Sequence, residues 1–344
     1  EQKALQDQLE QVQEEVAINT KMLMAENEKL LLKLTSNAGS LLDDSELIAV
    51  LQKVKETAEK VTTKLKDAEE TKSHINEKRE QYRPVATRGA VLYFSIVETS
   101  KINVMYQTSL QQFLTLFMKS TDDEFSAKNN SVSKRVTNII EALTYLVYRY
   151  VNRGLYEADK LTFVLVVTVK ILITAGDLTA GDLATFLRGG VALDLEKNRK
   201  KPYVWLADDA WLNVAALATT SKFYRSLPDD IARSEEAWKA WYEHNNPDQE
   251  PIPDYEEKLC MNPVLGAWYR LQLVRSLRMD RTIVSTREFI RNTPQMGARY
   301  VEPVTDVIES IYEDMDHRTP VIYLLSVGAD PTESIQALCH KKKK

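Results

Sequence analysis

Apolar residues recur every seven positions in the first part of the chain. Residues 1–33 contain no proline or glycine, and a second stripe with alternating spacings of four and three follows within residues 46–82. The first stripe is Leu9, Val16, Leu23 and Leu30, and the second is Leu47, Leu51, Val54, Ala58, Val61, Leu65, Ala68, Lys72 and Ile75. Heptad spacing is typical of coiled-coil helices, and residues 35–45 collect turn-forming residues between them. We therefore predict two long helices joined by a turn.

The two stripes are in register if the helices run antiparallel. Facing positions then have numbers that add to a constant, and Leu34/Leu47, Leu30/Leu51, Leu23/Ala58 and Val16/Leu65 all add to 81. At 1.5 Å per residue each helix spans about 50 Å. Periodicity alone equally fits a dimerisation coiled coil, but the matched register and short turn favour an intramolecular arm over residues 1–83. Its tip would contain Leu34, Leu41, Leu42 and Leu47.

The pattern after the arm predicts a helical body. Pro84 is expected to end the second helix, because proline lacks an amide hydrogen and restricts its predecessor. Helical spacing of apolar residues follows over 85–98, 106–119, 131–153 and 178–188. The run 161–173 fits either a buried strand or a buried helix.

A basic connector at residues 196–206 suggests a boundary, and further helices are predicted over 211–217, 231–242 and 264–277. The loop 244–255 between the last two is rich in proline. Arg270, Arg275, Arg278 and Arg281, with Arg287 and Arg291 beyond, could bind phosphate, but a salt-bridged face between domains is favoured.

The final part of the chain reads as a buried strand, residues 319–326, entering a loop. In a nucleotide-binding α/β domain a phosphate loop would follow such a strand. Gly328, Ala329 and Asp330 stand at that place, with neither the second glycine nor the lysine of G-x-x-x-x-G-K-[S/T]. We therefore predict a degenerate phosphate loop that binds no nucleotide.

The composition argues against a nucleic-acid-binding or membrane-binding protein and indicates a reducing compartment. The net charge of −5 arises from 45 basic and 50 acidic residues, which gives no case for nucleic acid or an anionic membrane as partner. Two distant cysteines fit a reducing compartment, with the cytosol as default. The longest apolar run, 161–175, is short for a bilayer and contains Lys170. A chain that begins with Glu1 and ends on four lysines reads as part of something longer.

No catalytic pattern is found in the sequence. The four histidines, His74, His244, His317 and His340, have no metal-ligand or triad spacing, and no G-x-S-x-G, H-E-x-x-H or Walker motif occurs. The acidic pairs Asp208/Asp209 and Asp229/Asp230 stand where helices begin, which capping explains. We expect no catalytic, cofactor-binding or metal-binding residue here.

Several motifs resemble dynein heavy chains. They are Y-R-P-x-A-x-R-x-x-x-L-Y-F at 82–94, I-x-x-M-Y-Q-x-S-L-x-x-F at 102–113, RGLYEADKLTF at 153–163, R-x-x-R-x-D-R at 275–281 and TPVIYLLSVGADP at 319–331. YVEP at 300–303 and SVGADPTESI at 326–335 look more like axonemal outer-arm heavy chains than cytoplasmic ones.

The resemblance implies a mainly α fold: a long antiparallel coiled-coil hairpin plus a helical AAA+ small domain, leading into the first strand of an α/β AAA+ domain. It implies a buttress at 1–83, the fifth module's small domain at 84–190, the helical opening of the sixth module at 191–318, and the sixth module's first strand and degenerate phosphate loop at 319–344. It also selects helix over strand for 161–173.

The implied function is mechanical coupling of ring movements to a microtubule-binding stalk. ATP and Mg²⁺ would act elsewhere in the parent motor, an ATPase. Implied partners are the stalk coiled coil of the same chain, and microtubules and intermediate or light chains through the parent complex. The implied location is the cytoplasm and cytoskeleton, in the axoneme of a cilium or flagellum. A stand-alone coiled-coil interaction or scaffold protein is the alternative, and an enzyme is the third possibility.

Overall fold

The computed structural model describes residues 2–36, 45–129, 131–189 and 202–302, and residues 308–342 except 316, 319, 324, 326 and 327. Its helices are α1 (Gln2–Ser36), α2 (Ser45–Thr99), α3 (Leu110–Thr121), α4 (Val132–Arg153), α5 (Glu157–Ala175), α6 (Ala180–Arg188), α7 (Asp208–Thr220), α8 (Leu227–Arg233), α9 (Glu235–Glu243), α10 (Glu256–Cys260), α11 (Pro263–Leu277), α12 (Thr282–Asn292), α13 (Ile308–Asp314) and α14 (Thr332–Lys342). Two 3₁₀ turns, Met279–Arg281 and Ala298–Tyr300, adjoin α12.

The mainly α prediction is confirmed. The helix predicted over 131–153 is α4, and the ambiguous run 161–173 lies within the helix α5. Eight residues of α5 are buried, which explains why its sequence lacks a polar face and could not be told from a strand by periodicity.

The predicted end of the second helix at Pro84 is wrong. Helix α2 continues through Pro84 to Thr99. An interior proline costs roughly 3 kcal/mol, because a hydrogen bond is lost and the ring meets the preceding turn. Beyond it, Leu92 and Ile96 are 1% and 2% exposed, and burying each such side chain contributes about 1.5–3 kcal/mol. Tertiary burial thus outweighs the local preference for a break.

The chain divides into two compact units. Unit 1 contains Glu1–Thr87 and Lys128–Asn138. Within it, Nζ of Lys64 lies 3.3 Å from Oε2 of Glu15, which brings α1 and α2 together at that level. Their numbers add to 79, two away from the predicted constant. The antiparallel coiled coil as a whole stays a prediction.

Burial along the two arm helices follows the predicted stripes in part. Val16 and Leu23 are half-buried, as are Val54 and Ala58, and Val61 and Ile75 are 4% and 3% exposed. Two other predicted positions, Leu51 and Leu65, are exposed. Among the α2 residues before Pro84 whose burial is described, Val61 and Ile75 are the buried ones.

Unit 2, which contains Arg88–Ala127 and Ile139–Lys344, has two apolar cores that share α11. Trp268 and Leu271 belong to a core with the end of α2 and with α3–α6 and α12. Val274 and Leu277 belong to a second core with α7–α10. A helix that is apolar on opposite sides is buried between layers. Residues of α5 and α11, which come before and after the predicted boundary between residues 190 and 191, share the first core, and the boundary itself stays a prediction.

A close helix contact supports this arrangement of α11. A β-carbon added at Gly266 would lie 2.0 Å from the backbone oxygen of Leu259, so only glycine allows α10 and α11 to approach this closely.

The predicted strand over 319–326 is not found among its described residues. Residues 320–323 and 325 are in no regular element, and Ile322 is 80% exposed. A parallel strand needs neighbouring strands to satisfy its backbone groups, and the described part of the chain provides none. The apolar run alone cannot form the buried element that its composition indicates.

Candidate functional site

The candidate site is the joint, residues 82–117, which contains the last turns of α2, the loop 100–109 and most of α3. Gly89 on α2 faces Phe117 on α3, and a β-carbon at Gly89 would lie 2.9 Å from Cε2 of that ring. Tyr93 and Phe113 continue this contact, with ring centroids 5.3 Å apart. The part of α2 from Gly89 to Tyr93 therefore packs directly on α3.

Arg88 fixes the same stretch to α4. Its guanidinium Nη1 donates to Oγ1 of Thr144 at 3.3 Å. Burial lowers the pKa of Arg88, because the charged guanidinium loses solvent.

A hydrogen-bonded group joins two of the motifs. The hydroxyl of Tyr106, in the I-x-x-M-Y-Q motif, donates to Oδ2 of Asp159 at 2.5 Å and accepts the backbone N–H of Tyr156 at 3.1 Å. Tyr156 and Asp159 belong to RGLYEADKLTF at the start of α5. Tyr106 is 7% exposed. Its pKa is raised, first by burial and then by the hydrogen bond to Asp159.

The predicted arm tip lies outside what can be described. Leu41 and Leu42 fall outside the described residues, and so do the side chains of Leu34 and Leu47. The tip therefore stays a prediction.

Three of the four arginines noted in the sequence hold the proline-rich loop. Arg270 donates to Oε2 of Glu256 at 2.5 Å and to the carbonyl of Glu250 at 2.9 Å. Arg281 pairs with Asp248 at 2.7 Å, and Arg278 donates to the carbonyl of His244 at 2.9 Å. These three arginines pair with groups inside unit 2, so the salt-bridged contacts are found, but they lie within one segment and not at the predicted face between domains.

The fourth, Arg275, caps the end of α6. It donates to the carbonyl of Leu187 at 3.4 Å and lies over the ring of Phe186, 5.7 Å from the centroid. A cation at a helix C-terminus is favoured by the helix dipole.

The residues of the predicted degenerate phosphate loop lie next to the N-terminus of α14. Oδ1 of Asp330 accepts the backbone N–H of Thr332 at 2.9 Å and its hydroxyl at 2.5 Å. These hydrogen bonds lower the pKa of Asp330 and keep it charged. A carboxylate thus lies at the N-terminus of α14, where the helix dipole favours a negative charge. That the loop binds no nucleotide stays a prediction.

Other reactive groups are scattered. Cys260 and Cys339 are exposed thiols. Among the described residues no cluster of His, Cys, Asp and Glu side chains could hold a metal ion. The helices that can be described include none with the length and apolar character needed to span a bilayer.

Sequence reasoning missed two features. The pairing of Tyr106 with Asp159 was missed because the residues are 53 positions apart, although each lies in a motif. Asp230 was read as part of a capping pair, but it is 5% exposed and accepts hydrogen bonds from Tyr255 at 2.6 Å and from Ser226 at 2.7 Å. Nothing in its local sequence distinguishes it from Asp229.

Known proteins match nearly the whole chain, although no protein-family model matches it. Dynein axonemal heavy chain 5 of Mus musculus is 44% identical over 330 residues, 96% of this chain and 7% of that protein. The dynein gamma chain of the flagellar outer arm of Chlamydomonas reinhardtii is 43% identical over 345 residues, and the human dynein axonemal heavy chain 8 is 42% identical over 330. The chain spans about 7% of the length of each of these relatives.

Proposed function

We infer that this chain, which belongs to the axonemal dynein heavy chains, is a non-catalytic mechanical segment of the motor. It would couple movements of an AAA+ ring to the microtubule-binding stalk through its coiled-coil arm. The relatives are named for the axoneme and the flagellar outer arm, and the chain is assigned to the same place, the cytoskeleton of a cilium or flagellum.

The observation that carries the proposal is the continuity of α2. One helix of 55 residues contains both the buried arm positions Val61 and Ile75 and the buried body positions Leu92 and Ile96. Helices commonly kink at proline, but α2 continues as a helix through Pro84, so no flexible linker separates the arm positions from the body positions, and movement of the body end is expected to reach the arm.

Catalysis is assigned to other parts of the heavy chain. ATP and Mg²⁺ would bind there, and microtubules and the intermediate and light chains would be partners of the whole complex. Within this chain the arm tip, Leu34, Leu41, Leu42 and Leu47, is proposed to contact the stalk coiled coil of the same heavy chain. Apolar side chains at the tip suit contact with another helix.

The test is a double variant, Leu41→Asp with Leu42→Asp, in the complete motor. We expect ATP turnover to persist, because no catalytic group is changed. The nucleotide-dependent change in microtubule Kd should shrink from the 5–150-fold typical of allosteric coupling, on the order of 1–3 kcal/mol, towards one.

The matched control is Ile18→Asp with Met22→Asp, which introduces the same charges at exposed positions of α1. The control should retain the change in microtubule Kd. Normal coupling in the tip variant would contradict the proposed role of the tip.

A further inference from the structure

The last residues of α2 and the loop after it are tied to α5 at two points. Oε2 of Glu98, in the last turn of α2, lies 2.6 Å from Nζ of Lys170 on α5. Eight residues later, Tyr106 donates to Oδ2 of Asp159 in the first turn of α5. We call residues 98–106 the strap.

The strap runs along much of α5. Asp159 and Lys170 are eleven residues apart, which corresponds to about 16 Å along a helix. The chain that leaves α2 therefore returns along α5 from its C-terminal part to its N-terminus.

The strap is also ordered by its own hydrogen bonds. The backbone N–H of Ile102 donates to the carbonyl of Thr99 at 2.9 Å, and that of Tyr106 donates to the carbonyl of Asn103 at 3.0 Å. The side chain of Asn103 accepts the N–H of Met105 at 3.0 Å. We call Glu98 and Tyr106, the two strap residues bound to α5, its anchors. The hydrogen bonds within the strap order the chain between them, so a displacement at one anchor reaches the other.

The polar contacts of the two anchors restrict the direction in which α2 can move, which the apolar core does not. Leu92 and Ile96 hold α2 in the core through apolar contact, which has no preferred direction. Hydrogen bonds and ion pairs to charged groups depend on distance and angle. The strap is therefore suited to oppose sliding or rotation of α2 against α5.

We propose that Tyr106 and Glu98 are positioning residues that fix the body end of α2 on α5, so that force on the arm helix is passed to the body instead of being lost as slippage. This inference rests on the proposed function, because it matters only if α2 transmits movement. The Tyr106 hydroxyl is the central group, since it binds both the Asp159 carboxylate and the backbone N–H of Tyr156.

The test compares Tyr106→Phe and Tyr156→Phe in the complete motor. Both remove one hydroxyl, but the Tyr156 hydroxyl makes a weak hydrogen bond to the sulfur of Met105, at 3.9 Å, and its backbone N–H is unaffected. Tyr106→Phe should leave basal ATP turnover intact and reduce the nucleotide-dependent change in microtubule Kd about tenfold, as expected for a hydrogen bond to a charged group. Tyr156→Phe should retain that change.

A surface variant tests the second anchor without removing a buried group. Glu98→Lys should lower coupling, and adding Lys170→Glu should restore it, since the swapped charges attract again. A merely structural role would not produce this rescue without a parallel change in melting temperature, which is measured for every variant.

The outcomes distinguish failure of the strap proposal from failure of the proposed function of the arm. If Tyr106→Phe and Glu98→Lys leave coupling unchanged while Leu41→Asp with Leu42→Asp lowers it, the strap proposal is overturned and the proposed function stands. If the tip variant also leaves coupling unchanged, the proposed function fails and the role of the strap fails with it.

Discussion

At the scale of single residues, buried polar groups in this chain are matched to specific partners. Asp230 accepts hydrogen bonds from Tyr255 and Ser226 and is paired with Arg233. Burial alone would raise its pKa, but the hydrogen bonds from Tyr255 and Ser226 and the charges of Arg233 and Lys258 together outweigh burial, and the pKa of Asp230 is lowered. Its negative charge is thus favoured in the folded state.

This predicts an acid-sensitive contribution to stability. The pKa of Asp230 is lower in the folded chain than the ordinary value of about 3.9, so its contribution is complete above about pH 4 and is lost as the pH falls through the folded pKa. Asp230→Asn should lower the free energy of unfolding by roughly 1–3 kcal/mol at pH 7, measured by urea denaturation, and the difference from the wild type should shrink towards pH 3.

A second variant checks the cause. Tyr255→Phe removes one donor to Asp230, so the wild-type loss of stability on acidification should be smaller in this variant. A difference between wild type and Asp230→Asn that stays constant from pH 7 to pH 3 would contradict the account.

At the scale of elements, local signals predict helices well and their limits less well. The stripe over 131–153 gives α4 with accurate bounds, because one broad apolar face and Gly154 mark it. Pro84 predicts a helix end that the structure does not have, because contacts with residues distant in sequence bury Leu92 and Ile96 and keep α2 continuous. The TPVIYLLS run predicts a strand that its described residues do not form. A strand needs neighbouring strands, and the composition of the run does not show whether they exist.

The unbroken α2 makes a prediction about Pro84. Pro84→Ala restores a hydrogen bond and removes a steric clash, so it should raise the free energy of unfolding by about 1–3 kcal/mol. Urea unfolding followed by circular dichroism measures the change. Thr87→Ala, at an exposed position one turn later, serves as the control and should stay within about 0.5 kcal/mol of the wild type. A loss of stability in Pro84→Ala would show that the proline is needed within the helix.

At the scale of the whole molecule, the sequence predicts the class of protein but not the contacts between distant parts of its body. The motifs identify the family because the longest of them, at 82–94 and 319–331, each span thirteen positions. They do not reveal that Tyr106 meets Asp159, or that α11 lies between two cores and joins the segments before and after residue 190. Such contacts between distant positions arise from packing, which no local pattern encodes.

The central claim is that the arm transmits movement, and a proline in its buried stripe tests this most directly. Val61 is 4% exposed on α2, and Val61→Pro should break the helix at a cost of roughly 3 kcal/mol. Thr63→Ala, at an exposed position of the same turn, is the control. The measurement is the ratio of microtubule Kd values between nucleotide states of the complete motor, taken together with ATP turnover. We expect Val61→Pro to retain turnover while the ratio falls to about one, from the 5–150-fold typical of coupled sites. A ratio equal to that of Thr63→Ala would contradict the account.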